Sequence, residues 1–303
     1  MSIVRFAVVA LCAALVATPA ATAQELTGTL KKIKDTGAIT LGHRDASIPF
    51  SYFDDKQQAV GYAMDLCYKI VDGVKAELKM PNIQVKLNPV TSSTRIPLMA
   101  NGTIDLECGS TTNNLERQKQ VSFTITHFVT ANRFVSKKAG NLHRLEDLKG
   151  KTVVSTSGTT NMKQITELNA QKNLGITVLP AKDHAEAFLM VDTGRAVAFV
   201  MDDILLYSLV ANSKNPADWV ISDAPLSVEP YGIMLRRDDA PFKKVVDTAM
   251  TNVYKSGEIN KIYEKWFLKP VPPKGINLNL PMSGPFKKVV ANPTDSGDPA
   301  AYE

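Results

Sequence analysis

Ile104-Asp-Leu-Glu-Cys-Gly-Ser-Thr-Thr-Asn-Asn-Leu-Glu-Arg117 sets out a strand, a loop and a helix start in one short stretch. The alternation of Ile104, Leu106 and Cys108 with Asp105 and Glu107 predicts a strand buried on one face. It ends at Gly109, and three hydroxyls follow: Ser110, Thr111 and Thr112. Asn113, with Glu116 three residues on, predicts an N-cap and its capping-box partner, which places Arg117 in the first turns of a helix. Hydroxyls, free backbone N–H groups and a guanidinium at a helix start suit a carboxylate ligand. By itself the stretch reads equally as a capped helix with a solvated arginine.

The surrounding chain repeats this order. A short helix over Thr29–Asp35, stopped by Gly37, precedes a strand over Ala38–Gly42. Ser51–Phe53 and Ala59–Tyr62 bracket a polar turn, which predicts a small hairpin. Met64, Cys67, Ile70, Val71, Val74 and Leu78 are spaced as on one face of a helix. Ile83–Leu87 follows as a strand, and Thr91–Arg95 leads into another helix. The pattern then restarts with a strand over Lys151–Ser155, the loop Ser157-Gly-Thr-Thr160 and a helix from Asn161 to Leu168. Ile176–Leu179 and Ala196–Met201 are further strands, each feeding helical sequence. Alternating strands and helices imply an α/β fold with mostly parallel sheets. Val129–Val135 would carry the chain into a second lobe and Glu229–Leu235 would bring it back. Ligands of open α/β sheets lie beyond the carboxyl ends of the strands, so two facing lobes would turn both hydroxyl loops to one cleft. Residues 272–303, rich in Pro and Gly with little periodicity, read as a loosely packed tail.

Arg5, an apolar run from Phe6 to Val16 and the ending Ala21-Thr-Ala23 form the three parts of a secretory signal peptide. Cleavage is expected after Ala23, so residues 1–23 are assigned to the leader. The run is shorter than the roughly 20 residues that a spanning helix needs. Cys12 sits behind Leu11 rather than a small residue, which argues against a lipid anchor. The formal net charge of +5 loses one unit with Arg5. Lys and Arg are spread along the chain without an aromatic-interleaved stripe, so nucleic acid is a poor candidate partner. A mature chain of roughly 280 residues exceeds the usual size of one core and implies two lobes. Cys67 and Cys108 survive processing. In an oxidising compartment such a pair favours a disulfide over a metal site.

Gly42–Tyr52, Thr91–Pro97, Glu107–Lys119, Ala181–His184 and Gly194–Asp203 occur in an order and wording that cover nearly the whole mature chain. Together they resemble the periplasmic glutamate/aspartate-binding proteins of ABC-type uptake, within the family-3 solute-binding proteins. The strand–hydroxyl–arginine core is family-wide; His43-Arg44, Thr91–Arg95 and His184 point to the acidic-amino-acid subgroup. The resemblance implies a type II two-lobed binding protein with a two-strand hinge, divided as 24–130 plus 236–303 and 131–235. It implies that Ser110, Thr112 and Arg117 hold a ligand α-carboxylate with help from Thr160, and that Asp202 accepts from the α-ammonium. Arg44, Ser92, Arg95 and His184 would surround the side-chain carboxylate. L-Glutamate or L-aspartate, a membrane permease and no cofactor follow from the same resemblance, for a periplasmic monomer. Ile233 stands where some relatives have a Cys, so the Cys67–Cys108 pairing is expected to differ from theirs.

Physical chemistry is consistent with that set. A zwitterion with a second carboxylate carries two anionic groups and one cation, matched by three Arg, one His and one Asp. Buried arginines without a carboxylate are costly, which rejects neutral amino acids. Each residue also has a plainer reading. Arg44 and Arg95 could be surface arginines, His184 a solvated loop histidine, and Asp202 or Asp203 a helix cap. Either Thr159 or Thr160 could cap the helix that follows. One rival function is a periplasmic cyclohexadienyl dehydratase, which needs a general acid; no carboxylic acid is evident beside the hydroxyl/Arg set. Nor is there a G-x-S-x-G elbow, a metal-ligand cluster or a phosphate loop. The other rival is a sensor component that presents the same ligand to a receptor.

Overall fold

The computed structural model describes residues 26–302; the leader and its cleavage point lie outside the described residues. In chain order the elements are α1 (Gly28–Thr36), β1 (Ala38–His43), β2 (Ala46–Ser47), β3 (Ser51–Phe53), β4 (Ala59–Val60), α2 (Tyr62–Leu78), β5 (Gln84–Pro89), α3 (Arg95–Ala100) and β6 (Leu106–Cys108). They continue as β7 (Val121–Phe123), β8 (Phe128–Lys137), β9 (Thr152–Thr156), α4 (Thr160–Gln171), β10 (Thr177–Ala181), α5 (His184–Asp192), β11 (Ala198–Asp202) and α6 (Asp203–Asn212). The last are β12 (Trp219–Ile221), β13 (Ser227–Tyr231), β14 (Met234–Arg236), α7 (Ala240–Lys255), α8 (Glu258–Tyr263) and α9 (Gly284–Ala291).

Local chemistry explains the boundaries. Gly37 ends α1 in the left-handed region at φ 66°, its N–H bonding Ile33 O. α2 buries the predicted stripe from Met64 to Val74, leaves Leu78 partly exposed, and packs on α7. Two sheets result. One has the order β5-β1-β6-β14-β7, the other β10-β9-β11-β8-β12 with β13 also on β8. In both, the first three strands are parallel and the others join antiparallel. Each sheet thus keeps its strands mostly in one direction, and a single strand, β14 in the first and β8 in the second, runs against the rest.

Register aligns the carboxyl ends. His43 lies opposite both Pro89 and Cys108, so the loops after β1, β5 and β6 leave the sheet side by side. In the second sheet Ala181 lies opposite Thr156, and Val200 opposite Ser155, which levels β9, β10 and β11. Two antiparallel segments join the sheets. β7 leads through Thr124–His127 into β8, and β13 returns through Gly232 to β14, with Tyr231 opposite Phe128. Cys67 and Cys108 form a disulfide with Cα atoms 6.1 Å apart, which fastens α2 under the end of β6.

Three expectations fail in instructive ways. The 104–108 strand is buried on both faces: Asp105 and Glu107 have no exposed surface, and Asp105 pairs with Lys32 at 2.7 Å and Arg236 at 3.1 Å. Asn113 caps no helix. Asn114 Oδ1 accepts from Arg117 N at 2.8 Å, the helix is a single 3-10 turn over Arg117–Lys119, and Glu116 pairs with Lys163 instead. The tail is packed, not loose. Phe286, Val289 and Tyr302 are buried, Thr126 N donates to Thr294 O at 2.8 Å, and Tyr254 OH donates to Thr126 O at 2.6 Å beneath it.

Candidate functional site

Every predicted site residue lies at or just beyond the carboxyl end of a parallel strand. Arg44 follows β1, Ser92 and Arg95 follow β5, and Ser110, Thr112 and Arg117 follow β6. From the second sheet, Thr160 opens α4 after β9, His184 opens α5 after β10, and Asp202 ends β11. All are buried except Thr160, which is partly exposed.

Most of them meet. Arg44 Nη2 donates to Ser92 Oγ at 2.9 Å and stands 3.5 Å from His184 Nε2, which joins the two lobes. Arg95 Nη1 donates to Ser110 O at 3.2 Å and Thr111 Oγ1 at 2.6 Å. Arg117 donates to Thr112 O at 2.9 Å and, across the cleft, to Gly158 O at 3.2 Å. Thr112 Oγ1 lies 3.4 Å from Thr160 Oγ1. The loops touch closely: a Cβ at Gly158, where φ is +77°, would stand 2.6 Å from Ser93 Cα. Asp202 hydrogen-bonds none of these residues. It accepts from Asn161 Nδ2 at 2.7 Å and from Tyr231 OH, and its charge acts on Arg95 and Arg117.

The open alternatives resolve. Thr159 caps α4, its Oγ1 accepting from Met162 N at 3.1 Å, and Thr160 donates to Glu229 Oε2 at 3.1 Å. Asp183 caps α5 through Glu186 N, so His184 is a buried ring and not a solvated one. Neither Asp202 nor Asp203 caps α6 through its side chain; Asp203 accepts from Thr130 Oγ1 at 2.6 Å and lies 3.5 Å from Arg133 Nε.

Burial dominates the electrostatics. It lowers Arg44 to about 10 and Arg117 to about 9, with Arg95 as the next cause in each, and it lowers Arg95 itself. All three remain cations at neutral pH. Burial, then Arg44 and Arg95, push His184 well below its ordinary range, so its ring is neutral. The expected fourth cation is therefore a neutral hydrogen-bonding ring, with Nδ1 2.8 Å from Thr156 Oγ1. Burial, then Glu229, raise the Asp202 carboxyl to about 7.

Three residues that sequence reasoning missed belong here. Glu107 is wholly buried and accepts from Thr111 Oγ1. Tyr231 holds Asp202 while its backbone bridges Thr112. Glu229 accepts from Thr160 and from Ser227 at 2.5 Å. Glu107 also overturns the reading that no carboxylic acid stands beside the hydroxyl/Arg set. Buried polar atoms without a partner are rare, yet Arg44 Nη1, Arg95 Nε and Ser110 Oγ make no hydrogen bond within the protein. Among the described residues no group of three or more His, Cys, Asp or Glu is placed to hold a metal, and no helix is long and apolar enough to cross a membrane.

Two mixed α/β lobes joined by two crossing segments, with buried polar groups at facing strand ends, define a two-lobed binding protein. The chain belongs to the bacterial extracellular solute-binding proteins, family 3, which it matches over residues 39–269. It is 57% identical to the L-glutamate/L-aspartate-binding protein of Pseudomonas aeruginosa, covering 94% of this chain and 95% of that one. It is 48% identical to the glutamate/aspartate import solute-binding protein of Escherichia coli, over 88% of each. Among solved structures, a mutant of ArgBP from T. maritima superposes with a TM-score of 0.70 at 30% identity, covering 78% of this chain and 98% of that one.

Proposed function

We propose that this chain captures L-glutamate and L-aspartate between its lobes and delivers them to the permease of an ABC transporter. Three buried guanidiniums opposite one buried aspartate carry the reading, because that charge set complements an amino acid with two carboxylates. The names of its Pseudomonas and Escherichia relatives support it.

Arg117, Ser110 and Thr112, with Thr160 from the facing lobe, receive the α-carboxylate. Asp202 receives the α-ammonium. Arg44, Ser92 and Arg95 receive the distal carboxylate, and His184 borders it as a neutral ring. The free atoms on Arg44, Arg95 and Ser110 are the donors a ligand would use. Since these groups come from both lobes, only a closed cleft satisfies the ligand, so binding selects closure. Residues 24–130 with 236–303 form one lobe, 131–235 the other, and loss of residues 1–23 leaves a periplasmic monomer.

Titration calorimetry on the chain from Gln24, unfolded and refolded to strip carried-over ligand, tests this. The panel is L-glutamate, L-aspartate, L-glutamine, L-arginine and prephenate. One-to-one binding confined to the two acidic amino acids is expected. Silence with both, or heat of turnover with prephenate, would overturn the reading.

A further inference from the structure

We propose that Glu107 is the built-in counter-anion of the Arg44/Arg95 pair, and that its charge tunes the distal subsite to a group bearing one negative charge. The inference rests on the reading of Arg44 and Arg95 as holders of the distal carboxylate.

Glu107 lies mid-strand in β6, opposite Gly42 of β1 and Met234 of β14, with no exposed surface. A carboxylate there is expensive unless it meets positive charge and hydrogen-bond donors. Its Oε2 accepts from Thr111 Oγ1, and the same hydroxyl oxygen accepts from Arg95 Nη1 at 2.6 Å. Thr111 thus relays between anion and guanidinium and fixes the orientation of both. Its charge also favours the cationic forms of Arg44 and Arg95.

Gly109 makes the placement possible. A Cβ there would come within 2.3 Å of Glu107 Oε1 and 2.9 Å of Arg44 Cγ, so the carboxylate and the arginine stem both press on this backbone. Glu107 Oε1 has no hydrogen-bond partner. The anion therefore acts by its field and through Thr111, as a positioning residue.

The electrostatic consequence is specific. His184 is neutral, so two guanidiniums and one carboxylate leave a net charge of one beside the distal group. A ligand group with a second negative charge feels repulsion from Glu107 in a low-dielectric setting, where it is strong. Removing the Glu107 charge should relieve that repulsion without altering the size of the subsite.

The probe is L-2-amino-4-phosphonobutanoate, whose terminal phosphonate gains its second charge at constant size. Its affinity is measured by calorimetry below and above that ionisation, each value divided by that for L-glutamate at the same pH. The ratio should become about tenfold or more favourable on ionisation in Glu107→Gln than in the wild type. Glu107→Asp, which keeps the charge, should return the wild-type value. Equal changes in Glu107→Gln and wild type would overturn the inference. Glu107→Met, uncharged and of similar length, is read in the same way should the Gln variant fail to fold. Failure of wild type to bind L-glutamate would instead sink the underlying reading, and this inference with it.

Discussion

Gly109–Thr112 and Ser157–Thr160 are written alike, a glycine among hydroxyls after a parallel strand, yet they present different groups to the cleft. The second loop feeds a full helix. Thr159 caps α4, donating to Thr156 O at 2.7 Å and accepting from Met162 N, so this side of the cleft offers backbone N–H groups and partial charge. The first loop feeds only one 3-10 turn. Its hydroxyls are set among Arg95, Arg117 and Glu107, so that side offers full charges held by side chains. The first loop thus presents side-chain charge to the cleft, and the second closes against it with backbone partial charge.

The largest expected effect belongs to the charged side. Arg95→Ala should cost up to about 5 kcal/mol of L-glutamate affinity, and far less of any residual L-glutamine binding, by calorimetry; equal losses would remove Arg95 from the distal subsite. The disulfide fastens only this loop. The double variant Cys67→Ser with Cys108→Ser should lose about 4 kcal/mol of unfolding free energy in denaturant, by the chain-entropy model for a loop of this length. Gly158→Ala tests the closing side. The Cβ must meet the Ser93 backbone at φ +77°, so L-glutamate affinity should fall by about 2 kcal/mol and small-angle scattering should show a wider ligand-saturated form.

Asp202 and His184 also differ in how they respond to pH. With its carboxyl raised to about 7 from 3.8, Asp202 holds a proton in the folded protein that the unfolded chain has lost. Its contribution to stability therefore declines as pH rises through that window, while His184, lowered by burial, contributes the opposite slope. Binding separates the two. Pairing with an ammonium requires the Asp202 anion, so L-glutamate affinity should rise about tenfold per pH unit up to about 7 and level off above it. Asp202→Asn should flatten the curve; an unchanged slope would clear Asp202 of that role. The smallest expected effect is Thr159→Ala, about 1 kcal/mol in thermal unfolding through loss of a helix cap.

Much of this was legible in the sequence, where periodicity and packing agree. α2 and β1 follow from the spacing of residues such as Ile70, Val74 and Leu41, all fully buried. The gathering of Arg44, Arg95 and Arg117 at one set of strand ends followed from family resemblance and topology. The acidic positions misled. Asp105 and Glu107 look like the wet side of a strand, yet partners far along the chain, such as Arg236, keep them inside, and no local pattern announces such pairing. Asn113 and Glu116 satisfy the spacing of a capping box, but Asn113 Nδ2 donates to Asp295 O at 2.8 Å. That tertiary contact outweighs the local one. Tyr231 and Glu229 read only as a returning strand, because their roles depend on side-chain bonds to Asp202 and Thr160, far away in the sequence.

The last residues of the tail have a mechanical meaning. Thr294 and Asp295 accept from Thr126 N and Asn113 Nδ2, Tyr302 OH pairs with Thr126 Oγ1 at 2.8 Å, and Pro299–Tyr302 lies against β13. The segment is splinted along the place where the chain crosses between sheets. Any bending there has to carry the splint along or strain its hydrogen bonds. The stiffness of the molecule, and with it how fast it opens to release its cargo, should therefore depend in part on residues outside the proposed ligand contacts.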